Sequence, residues 1–471
     1  TKLTLKNHKI LNENEATVQL FLESIQLENG IARTGTVELL TKIEKFIFST
    51  NLIESIDASI FFYFQNLTQL DFGSNRFKFL DQTSFTPASI QDSQTFASKL
   101  RELNLRGSNM LELYPGTFES LKSLDSLDLQ DNKINLRCCD MFKGLEKLKS
   151  LNLAFNREIK IIGNKTFYGL HELEILLLNS NGIANLSSDS FFGLKSLKKL
   201  DMSDNLYSID SQFDETMRHL VNLTHLDLSN NLIEFIEIGS FKHLSSLKSL
   251  YLFGNKLESL KSVAFSDLYN LEYLDLAMNQ IKYLDNATFF GLSNLIELSL
   301  SNNFISSNNQ TSYFLSLSNL EVLDLTKNMI SDLNPILYEG LEKIKVLYLG
   351  ANILTYLNKT SFDSKYLKNL DTLILSYNNN LKYLDEATFS FLPNLQNLHL
   401  EGNAFLDTIR RNLFNGLGNL KLLNIYSMFR IINSIEPEGF MGLSSLDELD
   451  LSDNKISVLR NNTFLGLDNV S

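Results

Sequence analysis

Leucines recur along this chain in a pattern that itself repeats about every 24 residues. In residues 274–279, LDLAMN, Leu274 and Leu276 alternate with Asp275 and Ala277. Alternation of this kind places the leucines on one face of a strand and the residues between them on the other. Because one strand recurs in every repeat, the pattern predicts short parallel strands, each followed by a returning limb on the opposite side of a common core.

The strand pattern can be written LxxLxLxxN, and successive copies begin mostly 24 to 26 residues apart. One longer step, from Leu67 to Leu100, interrupts the series. We therefore predict about seventeen repeats, with starts at Ile43, Leu67, Leu100, Leu124, Leu148, Leu173, Leu197, Leu223, Leu247, Leu271, Leu295, Leu320, Ile344, Leu370, Leu395, Leu420 and Leu446.

An asparagine ends the strand pattern in almost every repeat. Its side-chain amide can pair with backbone groups that lose their strand partners where the chain bends away. Only Ser108 and Met428 depart from this column. We expect Asn279→Ala to be destabilising and Asp275→Ala, at an outward position, to cost little. The column consists of Asn51, Asn75, Asn132, Asn156, Asn181, Asn205, Asn231, Asn255, Asn279, Asn303, Asn328, Asn352, Asn378, Asn403 and Asn454.

A second column, on the returning limb, is aromatic. Rings at repeat spacing predict a stacked spine within the core rather than a cofactor site. Met217, Phe314 and Tyr338 fill its gaps. The column consists of Phe61, Phe85, Phe118, Phe142, Phe167, Phe191, Phe241, Phe265, Phe289, Phe362, Phe389, Phe414, Phe440 and Phe464.

From Ile43 to Val470 the chain resembles the typical extracellular class of leucine-rich repeats, LxxLxLxxNxIxxLxxxxFxxLxxL. The resemblance implies an α/β solenoid, a leucine-rich repeat horseshoe with a concave parallel β-sheet. Within that class the chain looks most like the ectodomain of a Toll or Toll-like receptor. This implies non-catalytic recognition of a protein or microbial ligand, with receptor pairing. A cell-adhesion protein of the chaoptin type and a secreted recognition protein are the alternatives.

Residues 43–471 are expected to form one elongated solenoid, and residues 1–42 a degenerate N-terminal region of one or two coils. The cysteine-rich caps usual in this class are absent, and repeat arrays need covered ends. We therefore expect the chain to be a segment of a longer protein. The extra residues around DQTSFTPASIQDSQTFASKL predict a loop that leaves the solenoid, either for binding or as a passive insertion. The adjacent Cys138 and Cys139 are either free thiols or a bridge to another chain.

Net charge is −13 and the pI is about 5.1, which disfavours nucleic acid and anionic lipid as partners. A protein ligand or a cell-surface protein, or a second copy in a homodimer, is expected instead. The chain has no GxSxG, HExxH or phosphate-binding glycine loop, and its histidines are scattered. We expect no catalysis, cofactor or metal. No apolar run of eighteen residues occurs, so membrane attachment is expected only through segments outside this chain.

Nine N-x-[S/T] sequons favour an extracellular or cell-surface protein that carries N-linked glycans. None falls on the predicted strands. The sequon asparagines are Asn66, Asn164, Asn185, Asn222, Asn286, Asn309, Asn358, Asn461 and Asn469.

Outward apolar residues on the concave face are the candidates for ligand binding, because a solvated sheet face does not require them. A column of outward aspartates is either an acidic docking strip or part of the ordinary consensus sequence of the repeat. The predicted ligand-binding residues form two clusters, Tyr251, Phe253, Tyr273 and Met278, and Val346, Tyr348, Ile374 and Tyr377.

Overall fold

The computed structural model describes residues 42–470 except 57, 59, 60, 62, 63, 87–96, 98, 137–139, 308–310, 363, 382, 404–406 and 427–431, together with three short strands before residue 42. The chain divides into two units, Thr1–Leu232 and Ile233–Ser471. Residues 87–96 and 98 of the loop predicted around DQTSFTPASIQDSQTFASKL lie outside the described residues. The same is true of Cys138, Cys139, Asn309 and Met428.

The strands of the first unit are β1 (Lys2–Thr4), β2 (Leu27–Glu28), β3 (Ile31–Ala32), β4 (Lys45–Ile47), β5 (Gln69–Asp71), β6 (Phe79–Leu80), β7 (Glu102–Asn104), β8 (Glu112–Leu113), β9 (Ser126–Asp128), β10 (Ser150–Asn152), β11 (Ile161–Ile162), β12 (Ile175–Leu177), β13 (Asn185–Leu186), β14 (Lys199–Asp201) and β15 (His225–Asp227). Parallel pairing runs β1, β4, β5, β7, β9, β10, β12, β14, β15. Leu3 of β1 lies opposite Phe46, so the N-terminal region contributes a strand in register.

The strands of the second unit are β16 (Ser249–Tyr251), β17 (Tyr273–Asp275), β18 (Glu297–Ser299), β19 (Val322–Asp324), β20 (Val346–Tyr348), β21 (Tyr356–Leu357), β22 (Thr372–Ile374), β23 (Tyr383–Leu384), β24 (Asn397–His399), β25 (Thr408–Ile409), β26 (Leu422–Asn424), β27 (Ser434–Ile435) and β28 (Glu448–Asp450). Parallel pairing runs β16, β17, β18, β19, β20, β22, β24, β26, β28. All seventeen predicted strands are therefore present, each beginning two residues after its repeat start.

The remaining strands are two residues long and form pairs outside the main sheets. β6 pairs with β8 and β11 with β13 in the first unit, and β21 pairs with β23 and β25 with β27 in the second. β2 and β3 form an antiparallel pair. The described helices are equally short: α1 (Phe213–Met217), a 3-10 helix (Pro335–Tyr338) and α2 (Ser364–Leu367). Turns rather than helices make up most of the described returning limbs, which qualifies the expected α/β character.

Within each unit, the leucines of the described main strands face a shared core. In the coil that begins at Leu271, the side chains of Leu271, Leu274 and Leu276 are fully buried, and so are Ile281 and Phe289. Burial of one large apolar side chain stabilises a fold by about 1.5–3 kcal/mol. Because the same positions are apolar in every coil, each coil closes the core of its neighbour, and stability is approximately a sum over adjacent coils.

The asparagine column forms a hydrogen-bonded ladder. Nδ2 of Asn279 donates to the carbonyl oxygens of Leu276 and Leu252, both at 3.0 Å, and so joins its own coil to the preceding one. Its Oδ1 accepts the N–H of Leu257 at 3.1 Å. The same pattern recurs at Asn303, where Nδ2 bonds Leu276 and Oδ1 accepts from Ile281. The side chains satisfy backbone groups that the strands leave unpaired, as predicted.

The residue before each ladder asparagine adopts a left-handed backbone conformation. Met278, with φ +53°, and Tyr377, with φ +59°, are bulky examples, whereas Gly254 and Gly402 occupy the same position in other coils. The left-handed region costs glycine little and asparagine or aspartate only modestly, but it is strained for large side chains. The turn therefore imposes a backbone cost on any coil that places a large apolar residue there.

A second asparagine ladder, which the sequence analysis missed, lies just before the strands. Each of its members is followed in sequence by leucine or valine. Each Nδ2 donates to a carbonyl oxygen of the preceding coil at 2.6–2.9 Å. These bonds fix the edge where the returning limb enters the strand. The members are Asn222, Asn270, Asn294, Asn319, Asn369, Asn394, Asn419 and Asn469.

The aromatic column forms the predicted spine of stacked rings. Phe167 and Phe191 lie 6.3 Å apart between centroids with rings almost parallel, and Phe414 and Phe440 repeat the arrangement at 6.3 Å. Phe464 stacks on Phe440 at 6.0 Å but is 46% exposed. The stacked geometry is favourable beyond area burial, so these phenylalanines are explained by the fold alone.

Tyr338 occupies the spine between Phe314 and Phe362 but carries a hydroxyl. The side chain is fully buried, its oxygen has no hydrogen-bond partner, and burial raises the pKa of the phenol. An unpaired buried hydroxyl costs about 1–3 kcal/mol. The coil around Tyr338 is therefore less stable than one with phenylalanine at this position.

Replacing Asn279 with alanine should lower the free energy of unfolding by about 1–3 kcal/mol, because the buried N–H of Leu257 loses its acceptor and the carbonyl oxygens of Leu252 and Leu276 each lose one of two asparagine donors. Gln280→Ala removes a neighbouring exposed amide and should change it by less than about 0.5 kcal/mol. Urea unfolding followed by circular dichroism compares the two variants. Equal midpoints would contradict the structural role of the ladder.

Candidate functional site

Register brings members of both predicted clusters, Tyr251, Tyr273, Val346, Tyr348 and Ile374, onto one surface of the second unit. We call this surface the outward strip and define it by the outward residues of β16, β17, β18, β19, β20 and β22. It runs as two parallel rows: Ser249, Tyr273, Glu297, Val322, Val346 and Thr372, and Tyr251, Asp275, Ser299, Asp324, Tyr348 and Ile374.

One end of the outward strip is aromatic. Tyr251 and Tyr273 lie on adjacent strands, offset diagonally, with ring centroids 5.0 Å apart and an interplanar angle of 40°. Both rings are half-buried. Diagonal neighbours on adjacent strands are within reach of aromatic side chains, so the pair forms a continuous aromatic surface.

The other end of the outward strip is mainly apolar. Val322 and Val346 lie side by side, and Tyr348 lies beside Ile374 in the second row. All four side chains are half-buried. Val322 was missed by the sequence analysis, although alignment of the repeats places it in the same outward column as Val346. These residues give this end of the strip a partly exposed apolar surface.

Three carboxylates separate the two ends. Glu297 lies between Tyr273 and Val322 in its row, with Asp275 and Asp324 on the flanking strands. Burial raises the pKa of Glu297, and the charges of Asp275 and Asp324 add to the shift. The aromatic and apolar ends therefore flank a concentrated negative charge.

Lysine and arginine are absent from the outward positions of the nine main strands of the second unit, and His399 is the one histidine there. These strands carry five carboxylates outward, at Asp275, Glu297, Asp324, Glu448 and Asp450. Lys248 and Lys345 lie one residue before β16 and β20, and both are paired: Lys248 with Glu272 at 2.8 Å and Lys345 with Glu321 at 2.7 Å. Lys327 lies at the turn after β19 and is exposed. The electrostatic character of this face is negative, which favours a cationic partner.

The outward aspartates have a structural role that the sequence analysis did not anticipate. Oδ1 of Asp275 accepts the N–H of Ala277 at 2.9 Å, so the carboxylate closes the turn at the strand end. Asp71, Asp128, Asp201, Asp227, Asp324 and Asp450 accept the N–H two residues on in the same way. Local bonds of this type explain why the column is so regular. The expectation that Asp275→Ala would cost little is therefore revised.

The other predicted ligand-binding residues lie at the strand ends. Phe253 is half-buried, Met278 is 52% exposed and Tyr377 is 40% exposed. Tyr377 lies apart from the outward strip, with its ring over Gly402. Because Met278 and Tyr377 hold the strained left-handed position, their size is not explained by the fold.

The sequons can be compared with their structural surroundings. Asn66, Asn164, Asn185, Asn222, Asn286, Asn461 and Asn469 are exposed, and Asn358 is half-buried. Asn185 lies in β13, and Asn222 and Asn469 belong to the second ladder. At Asn164, Asn286 and Asn461 the sequon threonine is buried, and its hydroxyl donates to Gly163, Asp285 and Arg460. In five of the nine sequons, the fold itself therefore requires one of the sequon residues. The number of sequons is for this reason weaker support for glycosylation than the sequence alone suggested.

Stacked coils with parallel strands, an asparagine ladder and an aromatic spine define a leucine-rich repeat solenoid. The family described as Leucine rich repeat matches residues 98–157, 146–207, 171–226, 208–257, 254–305, 297–354, 342–405 and 429–471. These matches take in more than half of the chain. The chain belongs to the leucine-rich repeat family.

Similar proteins include receptors from animals and a plant. Reticulon-4 receptor-like 2 of Homo sapiens is 49% identical over 61 residues, 12% of this chain and 14% of that protein. Toll-like receptor 3 of Boselaphus tragocamelus is 34% identical over 106 residues, 21% of this chain and 12% of that protein. Receptor like protein 22 of Arabidopsis thaliana is 31% identical over 139 residues, 29% of this chain and 17% of that protein. Each match spans less than a fifth of the relative.

Solved structures with the same fold include two from the Toll group. The TLR13–ssRNA13 complex gives a TM-score of 0.68 at 23% identity and covers 97% of this chain and 78% of that chain. The glycosylated Toll–Spatzle complex of Drosophila gives 0.67 at 22% identity, with 91% and 58% covered. A leucine-rich repeat protein of Leptospira interrogans gives 0.66 at 26% identity, with 90% and 93% covered. The chain is a leucine-rich repeat protein that resembles Toll-like ectodomains.

Within the part of the chain that the structure describes, none of the helices has the length and apolar character needed to cross a membrane.

Asp275→Ala should lower the free energy of unfolding by about 0.5–1.5 kcal/mol, because the N–H of Ala277 loses its acceptor. Asp275→Asn keeps an acceptor oxygen and should be closer in stability to the original chain. Chemical unfolding of the three proteins gives the order. If the asparagine variant is as unstable as the alanine variant, the turn bond is not the reason for the aspartate.

Glu297→Gln should raise the melting temperature at pH 7. The folded chain raises the pKa of Glu297, so ionisation favours the unfolded state. That penalty is absent below the ordinary carboxyl pKa and complete above the folded one. The stabilisation should therefore disappear at pH 3. Glu448→Gln, at an exposed outward position, serves as the control, and a gain at pH 3 equal to that at pH 7 would contradict the assignment.

Proposed function

We propose that this chain is the extracellular, non-catalytic ligand-recognition region of a Toll-like receptor and that it binds a protein on the outward strip. The single observation that supports this most is the placement of Tyr251, Tyr273, Val322, Val346 and Tyr348 on one continuous face. Aromatic residues are enriched among those that dominate protein interfaces, and the carboxylates between the two ends add contacts for a basic partner.

The charge of the strip favours a protein with basic residues. Glu297, Asp275 and Asp324 repel phosphate groups, and the outward positions of the main strands of the second unit offer no lysine or arginine to neutralise a nucleic acid backbone. The TLR13 structure contains single-stranded RNA, and the Toll structure contains the protein Spatzle. Of these two kinds of ligand, the face of this chain suits the protein.

The sequon asparagines support the extracellular part of the proposal only in a limited way. Those that are described and exposed lie outside the outward strip, so attached glycans would leave the strip free. Similarity to Toll-like receptor 3 and to the other receptors is consistent with this location.

The test is photo-crosslinking from within the outward strip. A photoreactive benzoylphenylalanine replaces Tyr348, the secreted chain is incubated with extracellular fluid of its own organism, and the captured partner is purified for affinity measurements. Tyr251→Ala and Tyr348→Ala should each weaken binding of that partner about tenfold or more, since truncated aromatic anchors typically cost over 1 kcal/mol.

Tyr283→Ala is the matched control, because Tyr283 is a highly exposed tyrosine of the same unit outside the strip. It should leave the affinity unchanged. Unchanged affinity in both Tyr251→Ala and Tyr348→Ala would place binding on another surface. Sedimentation of the chain alone distinguishes a further case: if it self-associates through the strip, a homodimer or an adhesion protein replaces the soluble-ligand receptor.

A further inference from the structure

Three strand-end positions in the second unit lie side by side beyond the outward strip. Ser376, Glu401 and Tyr426 follow β22, β24 and β26 at the same place in their repeats. The N–H of Tyr377 donates to the carbonyl oxygen of Glu401 at 2.9 Å, and the N–H of Gly402 to that of Tyr426 at 3.3 Å. Adjacent strands are about 4.8 Å apart, so Glu401 lies between Ser376 and Tyr426. We call these residues, together with Tyr377, the acidic cradle.

Two polar atoms of the acidic cradle are buried without a hydrogen-bond partner. They are Oγ of Ser376, a residue only 4% exposed, and Oε2 of Glu401. Nδ1 of His399 lies 3.8 Å from Oε2, beyond hydrogen-bond distance. Buried oxygens of this kind are rare in folded proteins because each one forfeits the hydrogen bond it made to water. The carboxylate oxygen accepts only, whereas the serine hydroxyl both donates and accepts, so a bound group with several N–H donors would give both a partner.

Aromatic rings and further carboxylates border the acidic cradle. The ring of Tyr377 lies over Gly402 and is 40% exposed. Tyr426 is half-buried, and its pKa is raised by loss of solvent and by the proximity of Tyr377, Asp453 and Asp450. A cation placed here would meet negative charge and ring faces together, which is a favourable setting for cation–π contact.

Tyr377 supplies an independent indication that the cradle serves a purpose other than folding. Its backbone is left-handed, with φ +59°, whereas asparagine and aspartate occupy this position in Asn302 and Asp453 at less cost. The chain therefore bears strain to present an exposed ring at this point. The left-handed backbone belongs to the turn of every described coil, so the feature that the fold leaves unexplained at Tyr377 is the size and exposure of its ring.

We propose that the acidic cradle binds one arginine side chain of the protein partner, a conclusion that rests on the proposed function. A guanidinium donates several N–H groups in one plane, so it can bond Oε2 of Glu401 and Oγ of Ser376 once these side chains rotate toward solvent, with its face against Tyr377. An ammonium group has three donors but no planar face. The cradle thus discriminates arginine from lysine, and it adds a specific contact to the apolar contacts of the outward strip.

The test uses the whole chain and a small probe, N-acetyl-arginine N-methylamide, titrated by saturation-transfer difference NMR. We expect a dissociation constant of roughly 1–10 mM, as for a ligand of this size with one good contact. The lysine analogue should bind more weakly, and the norleucine analogue, which lacks charge, at least about tenfold more weakly. Equal binding of the arginine and norleucine analogues would overturn the proposal.

Variants then assign the contacts. Glu401→Gln should weaken the arginine probe about tenfold, because it removes a charge-assisted bond while keeping the shape. Tyr377→Asn should weaken it about two- to fivefold and, because asparagine tolerates the left-handed backbone, should not lower the melting temperature. Glu448→Gln makes the same charge change on β28 and should leave binding unchanged.

Full binding of the arginine probe to Glu401→Gln would overturn the proposal, provided its melting temperature shows that it is folded. If Glu401→Gln does not fold, Tyr377→Asn decides, and unchanged binding to that variant would overturn the proposal equally. The probe requires no protein partner, so these results are independent of the crosslinking experiment. Probe binding with no effect of Tyr251→Ala and Tyr348→Ala on the partner would reject the proposed strip and leave the cradle standing. The reverse pattern would reject the cradle alone.

Discussion

Hydrogen bonding at the end of each strand is the constraint on which the whole fold depends. A three-residue strand pairs few backbone groups, and the chain must then turn away from the sheet in every coil. Without a side chain that donates hydrogen bonds to them, the carbonyl oxygens at that turn would be buried without a partner. The asparagine ladder solves this problem once per coil, and because each amide also reaches the preceding coil, it fixes the stacking of neighbours together with the turn. The leucine core provides the stabilisation, but the ladder decides the geometry in which that core can form.

The same turn determines how the sheet face should be interpreted. Its aspartates close the strand ends, so much of the negative charge on the face is a consequence of folding. Glu297 and Glu401 are different, because neither accepts a turn bond of this kind and both are partly withdrawn from solvent. Tyr348 and Ile374 are likewise not required by the turn. A face of this type has to be sorted residue by residue into those that shape the strand end and those that remain free to contact a partner.

The periodic parts of the structure could be predicted from the sequence. Seventeen strands, the asparagine ladder and the ring spine follow from spacing, because the same physical requirement recurs in every coil. The second ladder is equally periodic, and the recurring Asn-Leu dipeptide before the strands would have been sufficient to predict it. What spacing could not supply was the hydrogen bond of Asp275, since its outward position indicates exposure and not a partner.

The candidate site was predictable only in part. Alternation placed Tyr251 and Tyr348 outward correctly, but the continuity of the outward strip depends on register between β17 and β20, which brings Glu297 and Val322 between the two clusters. The acidic cradle was not predictable at all. Whether Ser376 and Glu401 are buried and unpaired depends on the packing of neighbouring coils. Both residues also occupy a variable position of the repeat consensus, so neither stands out in the sequence.

The left-handed position before each ladder asparagine has an implication for how such a surface can change over generations. Its backbone is set by the turn and not by the side chain, and each coil contacts only its neighbours. A substitution from asparagine to tyrosine there adds a projecting ring at a local energetic cost, with the ladder, the spine and the other coils undisturbed. Reversal recovers that cost just as locally. Specificity for a new partner can therefore accumulate by single substitutions in one coil at a time, and each intermediate variant still folds.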